Sequence, residues 1–209
     1  MISIWVPFSA CAYFVGSIPF GKLIAKRAGG FDITTRGSGN IGATNVAREL
    51  GFKWGLLTLT LDILKGFVPV FCFSYFSSPH SPGYNYEIAV VALSALLGHQ
   101  FSLFQRFRGG KGVATALGIY LGISEFTLFS CLIGIIIFII TVYKWNFVSL
   151  GSLVSASIIP IMLLLFGESY VIVFMSGVIT GLIYTKHNDN IIRLIKGEER
   201  KWRQVESTQ

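Results

Sequence analysis

The sequence is poor in charged residues, which make up 13% of its 209 positions, whereas soluble domains carry roughly 25%. Hydrophobic residues make up 53% of the chain, and the mean hydropathy is +0.66. This composition excludes an ordinary soluble enzyme and a basic nucleic-acid-binding domain. It predicts an integral membrane protein that is surrounded by lipid.

Cysteine is also scarce. The three cysteines, Cys11, Cys72 and Cys131, lie in separate apolar runs without histidine neighbours, so neither a disulfide framework nor a zinc site is indicated. The segments between apolar runs contain no carboxylate cluster of the kind that holds magnesium. A histidine followed five positions later by aspartate, the dyad of soluble-type glycerolipid acyltransferases, is missing as well. We therefore expect no metal and no cofactor.

What the chain has in abundance is apolar runs near the length that a helix needs to cross a bilayer, about 20 residues. The fourth run is short, and the first lacks the positive flank of a cleaved signal peptide, so we expect it to remain as a span. The sequence thus predicts seven transmembrane helices near residues 4–26, 53–76, 86–105, 112–124, 126–143, 147–166 and 168–186.

Lysine and arginine are unevenly distributed among the connecting segments. The loops near residues 77–85, 125 and 167 contain neither, whereas the alternate loops and the C-terminal tail carry many. Basic loops favour the cytoplasm, so the N-terminus is expected outside and the C-terminus inside. The prediction is a single all-α membrane domain over residues 1–209, with its polar motifs facing the cytoplasm.

Two glycine-rich segments carry the polar chemistry. Residues 37–48 interleave three glycines with serine, threonine and two asparagines before Arg48, and residues 108–112 read Arg-Gly-Gly-Lys-Gly. Glycine lets the backbone approach an anion closely, and a guanidinium suits phosphate. The second segment opens the fourth span, where free helix N–H groups also favour anions. Together they predict a pocket for phosphorylated compounds.

Other polar residues lie in or beside the spans. Asp62 and Lys65 share a helical face, and either a structural ion pair or a substrate contact would explain them. For His99, a packing role and a role in the substrate site are equally open. His187 and Asn190, three positions apart after the last span, are better placed for phosphate.

These motifs together resemble the bacterial acyl-phosphate-dependent glycerol-3-phosphate acyltransferases, the PlsY family. The most specific matches are Gly-Ser-Gly-Asn-Ile-Gly-Ala-Thr-Asn at residues 37–45 and Arg-Gly-Gly-Lys-Gly-Val-Ala-Thr at residues 108–115. Asp-Ile-Leu-Lys-Gly at residues 62–66 and Asn-Ile-Ile-Arg-Leu at residues 190–194 also match. The resemblance runs over essentially the whole chain and implies seven spans in the bacterial inner membrane, with the N-terminus outside.

The resemblance implies transfer of a fatty acyl group from acyl phosphate to the 1-hydroxyl of glycerol 3-phosphate, giving lysophosphatidic acid and inorganic phosphate. The implied protein partner is the enzyme that makes acyl phosphate. The expected catalytic residues are Ser38, Arg48, Lys111, His187 and Asn190. The expected substrate-binding residues are Gly37, Gly39, Asn40, Gly42, Thr44, Asn45, Lys65, His99, Gly109, Gly110 and Arg193.

Two positions depart from the family pattern. Ser102 replaces a usual proline and is expected to alter only a helix end, while Asn188 replaces a usual arginine and is expected to weaken or shift one phosphate contact. A phosphate or organophosphate transporter is the alternative function, although transporters often contain internal repeats and none is visible. A lipid phosphatase, which needs two histidines in a matching motif, is the weaker third reading.

Overall fold

Within residues 4–203, the part of the chain described by the computed structural model, the backbone forms helices and turns and no strand. The limits of the expected domain, residues 1 and 209, lie outside this part. Ten α-helices occur there: α1 Trp5–Ser17, α2 Phe20–Ile24, α3 Ala43–Leu50, α4 Phe52–Phe76, α5 Tyr84–Gln100, α6 Val113–Leu121, α7 Glu125–Trp145, α8 Val148–Leu165, α9 Tyr170–Lys186 and α10 Asn188–Lys196.

The helices follow the predicted apolar runs closely, which confirms a multi-pass helical membrane protein. Five stretches are long and apolar enough to cross a bilayer, namely Trp5–Gly29, Phe52–Phe76, Tyr84–Gln105, Glu125–Trp145 and Val148–Leu165. The pair α9 and α10, bent by 61° at His187, is a sixth candidate. Helix α6 has only nine residues, or about 14 Å of helix, because Gly112 and Gly122 bound it.

Glycines let two pairs of helices pack backbone against backbone. A Cβ added to Gly16 on α1 would collide with the Ala95 carbonyl on α5, and one on Gly98 of α5 would collide with Tyr13. Gly66 on α4 and Gly118 on α6 make the same kind of reciprocal contact. Because lipid removes the hydrophobic drive between spans, such close packing is what holds membrane helices together.

A buried ion pair fastens α4 to the break between α1 and α2. The Lys65 ammonium lies 2.9 Å from the Asp62 carboxylate and donates to the Ile18 carbonyl at 3.1 Å. Ile18 lies between the end of α1 and the start of α2, so its carbonyl takes no α-helical hydrogen bond; it accepts from the Phe20 N–H at 3.1 Å as well as from Lys65. Ser102, the serine in place of a usual proline, fastens the same region, because its buried hydroxyl donates to the Ser17 carbonyl.

The chain turns back on itself after α10. Gly197, with a φ of 73°, ends the helix in a left-handed conformation, and the Glu198 N–H donates to the Arg193 carbonyl at 2.8 Å, a common glycine-terminated helix end. The following residues, 198–203, are called the C-terminal segment below. This turn brings the segment alongside α10 and the turn between α7 and α8.

Candidate active site

A cavity of about 680 Å³ opens between the short helix α3 and the helices α4, α6, α7, α8 and α9. Polar residues from both glycine-rich segments, from the α9–α10 bend and from the C-terminal segment line one end of it. Apolar side chains line most of the rest, together with the hydroxyl residues Ser152, Ser155 and Thr180. The cavity therefore combines a charged end with a long apolar end.

The charged end is organised by Asn190 and Glu199. Lys111 Nζ donates to Asn190 Oδ1 at 2.5 Å, and Asn190 Nδ2 donates to Glu199 Oε1 at 2.6 Å. Arg193 Nε donates to Glu199 Oε2 at 2.8 Å, and Ser149 Oγ donates to Glu199 Oε1 at 2.8 Å. The Asn190 amide thus links a cation to a carboxylate, and its orientation is fixed because each of its groups has a partner.

The same contacts set the protonation of this end. Burial disfavours the charged form of Lys111, and the nearby positive charges of Arg193 and Arg48 add to this, so its pKa falls to about 8. Burial alone would raise the pKa of Glu199, but hydrogen bonds from Asn190, Ser149 and Arg193 outweigh it and lower that pKa below its ordinary value. Near neutral pH, the site therefore contains a charged lysine and an ionised glutamate.

His187 lies at the bend between α9 and α10 and is 2% exposed. Its Nδ1 lies 2.8 Å from the Ile183 carbonyl oxygen. Since a carbonyl only accepts, Nδ1 carries the proton, and in neutral imidazole Nε2 is then the acceptor. His187 and Asn190 both line the cavity, although the helix does not continue through them but bends by 61° at His187.

The first glycine-rich segment is shaped by Asn45. This buried side chain accepts from the Ser38 N–H at 2.9 Å and donates to the Asn40 carbonyl at 2.9 Å and the Arg36 carbonyl at 3.1 Å. Its amide is thus occupied in holding the loop. The loop leads into α3, whose first residues, Ala43 and Thr44, line the cavity and present the unpaired N–H groups of a helix start.

Arg48 follows on α3 and lies at the mouth of the cavity. Its Nη2 donates to the Arg200 and Lys201 carbonyls at 3.4 Å and 3.3 Å. Burial and the charge of Arg200 lower the pKa of Arg48 below its ordinary value, but a guanidinium remains charged in proteins. Arg48 therefore adds a second cation, which is held by the C-terminal segment.

The second glycine-rich segment packs tightly on the end of α5. A Cβ on Gly109 would meet the His99 carbonyl, and a Cβ on Gly110 would meet the His99 ring. Gly112 has a φ of 88° and immediately precedes α6. Gln100 Nε2 donates to the Lys111 carbonyl at 2.8 Å. These contacts direct the start of α6, residues 111–114, into the cavity.

The structure brings most of the predicted site residues together. Those that line the cavity are Ser38, Asn40, Gly42, Thr44, Asn45, Arg48, His99, Lys111, His187, Asn190 and Arg193. Five others do not line it: Gly37 and Gly39 adopt left-handed turns in the loop, Gly109 and Gly110 pack on α5, and Lys65 is used by the ion pair. For Lys65, the geometry favours the structural reading over substrate contact. Asn188 is exposed at the start of α10.

Sequence reasoning missed the carboxylate and the aromatic residue of the charged end. Glu199 and Trp202 line the cavity. They were missed because both lie in the C-terminal tail, and the positive-inside rule already accounts for the basic residues of that tail. Ser149 was missed because a serine near the start of a span carries no distinguishing pattern. A useful signal for Glu199 is its place two residues after Gly197, a helix-ending glycine that returns the chain to α10.

The apolar end of the cavity reaches deep between the helices. Counting away from the charged end, the last lining residues are Tyr120 on α6, Cys131 on α7, Ile159 on α8 and Ile179 on α9, and all four are buried. From Val142 to Cys131, α7 covers about 16 Å of helix. Across residues 4–203, no three histidine, cysteine or acidic side chains cluster as metal ligands.

Comparison with known proteins identifies the family. A family model described as glycerol-3-phosphate acyltransferase matches residues 6–197. The glycerol-3-phosphate acyltransferase of Geotalea daltonii is 46% identical over 90% of this chain and 92% of its own. That of Lawsonia intracellularis is 43% identical over 98% and 97%.

Solved structures agree with this match. The crystal structure of PlsY, an integral membrane glycerol 3-phosphate acyltransferase, in its glycerol 3-phosphate form has a TM-score of 0.88 and 36% identity over 95% of this chain and 96% of that one. The lysophosphatidic acid form has a TM-score of 0.86 and 35% identity, with 95% of each chain covered. Sequence and fold therefore agree over nearly the full length, and the chain belongs to the glycerol-3-phosphate acyltransferase family, on the PlsY fold.

Proposed function

We propose that this protein transfers a fatty acyl group from acyl phosphate to the 1-hydroxyl of glycerol 3-phosphate. The observation that carries the proposal is a cavity that combines a cationic, amide-rich end with a deep apolar end. The first end suits the phosphates of both substrates and the second suits an acyl chain. A transporter has no use for a long apolar end beside its phosphate site.

The charged end solves the problem of holding two anions close together. Arg48 and Lys111 offset the phosphate charges, and the starts of α3 and α6 add N–H donors that point into the same space. Asn190 holds Lys111 at 2.5 Å, so the ammonium does not have to be ordered when the substrate arrives. We assign Ser38, Asn40, Gly42 and Thr44 to the same phosphate-binding surface.

The reaction forms one bond and breaks one. The 1-hydroxyl oxygen bonds to the acyl carbonyl carbon, the bond from that carbon to the phosphate oxygen breaks, and phosphate leaves with the electron pair. The hydroxyl proton passes to a phosphate oxygen, whose second pKa of about 6 suits proton transfer at neutral pH, or to Nε2 of His187. The hydrogen bond from Nδ1 to Ile183 leaves Nε2 as the acceptor.

The apolar end accounts for the acyl chain and for its entry from the membrane. Its lining includes Leu56, Leu59 and Ile139, which are 50%, 37% and 58% exposed on the outer surface of the helices. A lipid-borne acyl phosphate can therefore slide between α4 and α7 while its headgroup enters the charged end. We propose acyl phosphate rather than an acyl thioester as the donor, because the charged end of the cavity offers cations and helix N–H groups that suit a small phosphate.

The proposed topology has seven spans, with α6 as a short span and α9 as the seventh. Its support is the distribution of charge, because loops near residues 77–85, 125 and 167 have no lysine or arginine. The N-terminus is then outside, and the active site faces the cytoplasm from the inner membrane. The family match across residues 6–197 supports a single domain over 1–209. Neither a metal nor a cofactor is needed, and the acyl-phosphate-producing enzyme is the proposed partner.

The test is product formation by purified protein. Palmitoyl phosphate and labelled glycerol 3-phosphate should give labelled lysophosphatidic acid and phosphate, and palmitoyl-coenzyme A at equal concentration should give less. Activity should survive EDTA. Faster turnover with the thioester would overturn the donor assignment, and activity that vanishes with EDTA and returns with magnesium would overturn metal independence. Uptake of glycerol 3-phosphate into proteoliposomes without acylation would favour the transporter.

A further inference from the structure

The C-terminal segment forms one wall of the charged end. Its Glu199, Arg200 and Trp202 all line the cavity, and the carbonyls of Arg200 and Lys201 accept hydrogen bonds from Arg48. The Arg48 guanidinium also lies 6.0 Å from the centre of the Trp202 ring. The position of Arg48 therefore depends on where this segment lies.

Asn146, in the turn between α7 and α8, holds residues 202 and 203 of the segment, whereas Ser149, Asn190 and Arg193 hold it through Glu199. The Asn146 carbonyl accepts from the Trp202 N–H at 2.8 Å. Its side chain accepts from the Arg203 N–H at 2.8 Å and donates to the Arg203 carbonyl at 2.9 Å. Asn146 itself is not among the residues that line the cavity.

The backbone at Asn146 explains why this residue type occurs there. Its φ is 62° and its ψ is 23°, the left-handed region that asparagine tolerates better than most residues. This conformation ends α7 and leaves the Asn146 carbonyl and amide facing the C-terminal segment. One residue thus ends a span and pairs with a segment about 57 positions away in sequence.

We propose that Asn146 is a positioning residue for the acyl transfer described above: it fixes the C-terminal segment, and the segment in turn holds Arg48 at the mouth of the cavity. Asn146 does not touch substrate. It acts by keeping the Arg200 and Lys201 carbonyls and the Trp202 ring beside the guanidinium. The expected effect on KM rests on the proposed function, whereas the expected effect on the position of the C-terminal segment does not.

The main test is Asn146→Gly, because glycine keeps the left-handed backbone and the carbonyl while it removes both side-chain hydrogen bonds. We expect the KM for a phosphorylated substrate to rise about fivefold, as two partly exposed hydrogen bonds are lost, with a smaller change in kcat. Asn146→Asp keeps the acceptor for the Arg203 N–H and should give an intermediate KM. Ser78→Ala, in the exposed loop between α4 and α5, is the matched control.

A second measurement needs no substrate turnover. Trypsin cuts after lysine and arginine, and Arg200, Lys201 and Arg203 lie in the segment. Mass spectrometry should show faster cleavage at these sites in Asn146→Gly than in the parent protein or Ser78→Ala, at an unchanged melting temperature. In an Arg48→Lys background, the effect of Asn146→Gly on KM should shrink, since the residue through which it acts is already altered.

The outcomes are distinct. Faster cleavage with an unchanged KM would show that the segment does not support the site and would overturn the proposal. Unchanged cleavage would show that Asn146 does not anchor the segment and would overturn it too. Activity that falls only in step with melting temperature would mean a general structural role. A parent protein that does not acylate glycerol 3-phosphate would refute the proposed function, whereas the cleavage comparison would still report on Asn146.

Discussion

The protonation of Lys111 gives a quantitative prediction. Burial and the neighbouring cations lower its pKa to about 8, so the ammonium that offsets phosphate charge is lost as the pH rises through that value. The phosphates are already dianionic there, because their second pKa is about 6. The rate constant kcat/KM, which reports the free enzyme, should therefore be nearly level between about pH 7 and pH 8, where the phosphates stay dianionic, and should fall above about pH 8 by about tenfold per pH unit.

The assay is a pH profile between neutral and strongly alkaline pH for the parent protein and two variants. In Lys111→Arg the charge persists, so the alkaline fall should move to much higher pH even if the level activity is lower. In Lys111→Gln the activity should be low and flat over the same range. Non-enzymatic hydrolysis of acyl phosphate is subtracted from a blank at each pH.

A binding measurement covers the case in which both variants are too slow to assay. Calorimetric titration of the parent protein with glycerol 3-phosphate should show a Kd that rises above pH 8, and Lys111→Gln should bind weakly at every pH. An alkaline fall at the same pH in the parent protein and Lys111→Arg would refute the reasoning, because the titrating group would then be another one.

Three further predictions concern charge, packing and topology. Arg48→Ala should cost about 2–5 kcal/mol of transition-state stabilisation, since a desolvated phosphate loses its partner, and near-normal turnover would remove Arg48 from the site. Gly118→Ala, where a Cβ would collide with α4, should lower stability in detergent by about 1–3 kcal/mol. Gly177→Ala, with open space around the residue, should leave stability unchanged. Equal melting temperatures for the two variants would contradict the packing argument. After removal of the three native cysteines, a thiol reagent should label Ser81→Cys from outside the cell and Lys196→Cys only after permeabilisation. Labelling of both cysteines from one side would refute the seven-span topology.

The spans were predictable because the bilayer demands a minimum apolar length, and this demand is local in sequence. The expected second span, residues 53–76, differs from α4 by one residue at its start. The convergence of residues 37–48 and 108–112 on one cavity was expected as possible, because the predicted topology assigns both segments to the same face of the membrane. In contrast, the residues of α3 were expected to form a loop. The helix has only eight residues and begins within a glycine-rich run, so its sequence carries little helical signal.

The roles of individual polar side chains were harder to predict, because they depend on partners far away in sequence. Asn45 has an amide side chain of the kind that binds phosphate, yet this amide makes its hydrogen bonds within its own loop. Lys65 is a cation near the site, but the Ile18 carbonyl and Asp62 occupy it. Glu199 was overlooked because its function comes from contacts with Asn190 and Ser149, which no spacing rule relates to it.

The reciprocal glycine contacts constrain the order in which the protein assembles during synthesis. Helix α1 pairs with α5 and α4 pairs with α6, so each early helix enters the bilayer before its partner has been translated. Insertion and pairing are thus separate events, and the early helices spend that interval facing lipid with their glycine surfaces uncovered. A ribosome-bound chain that stops before residue 84 should therefore hold α1 in the membrane beside α4, which it contacts through Phe8 and Phe73, but without α5.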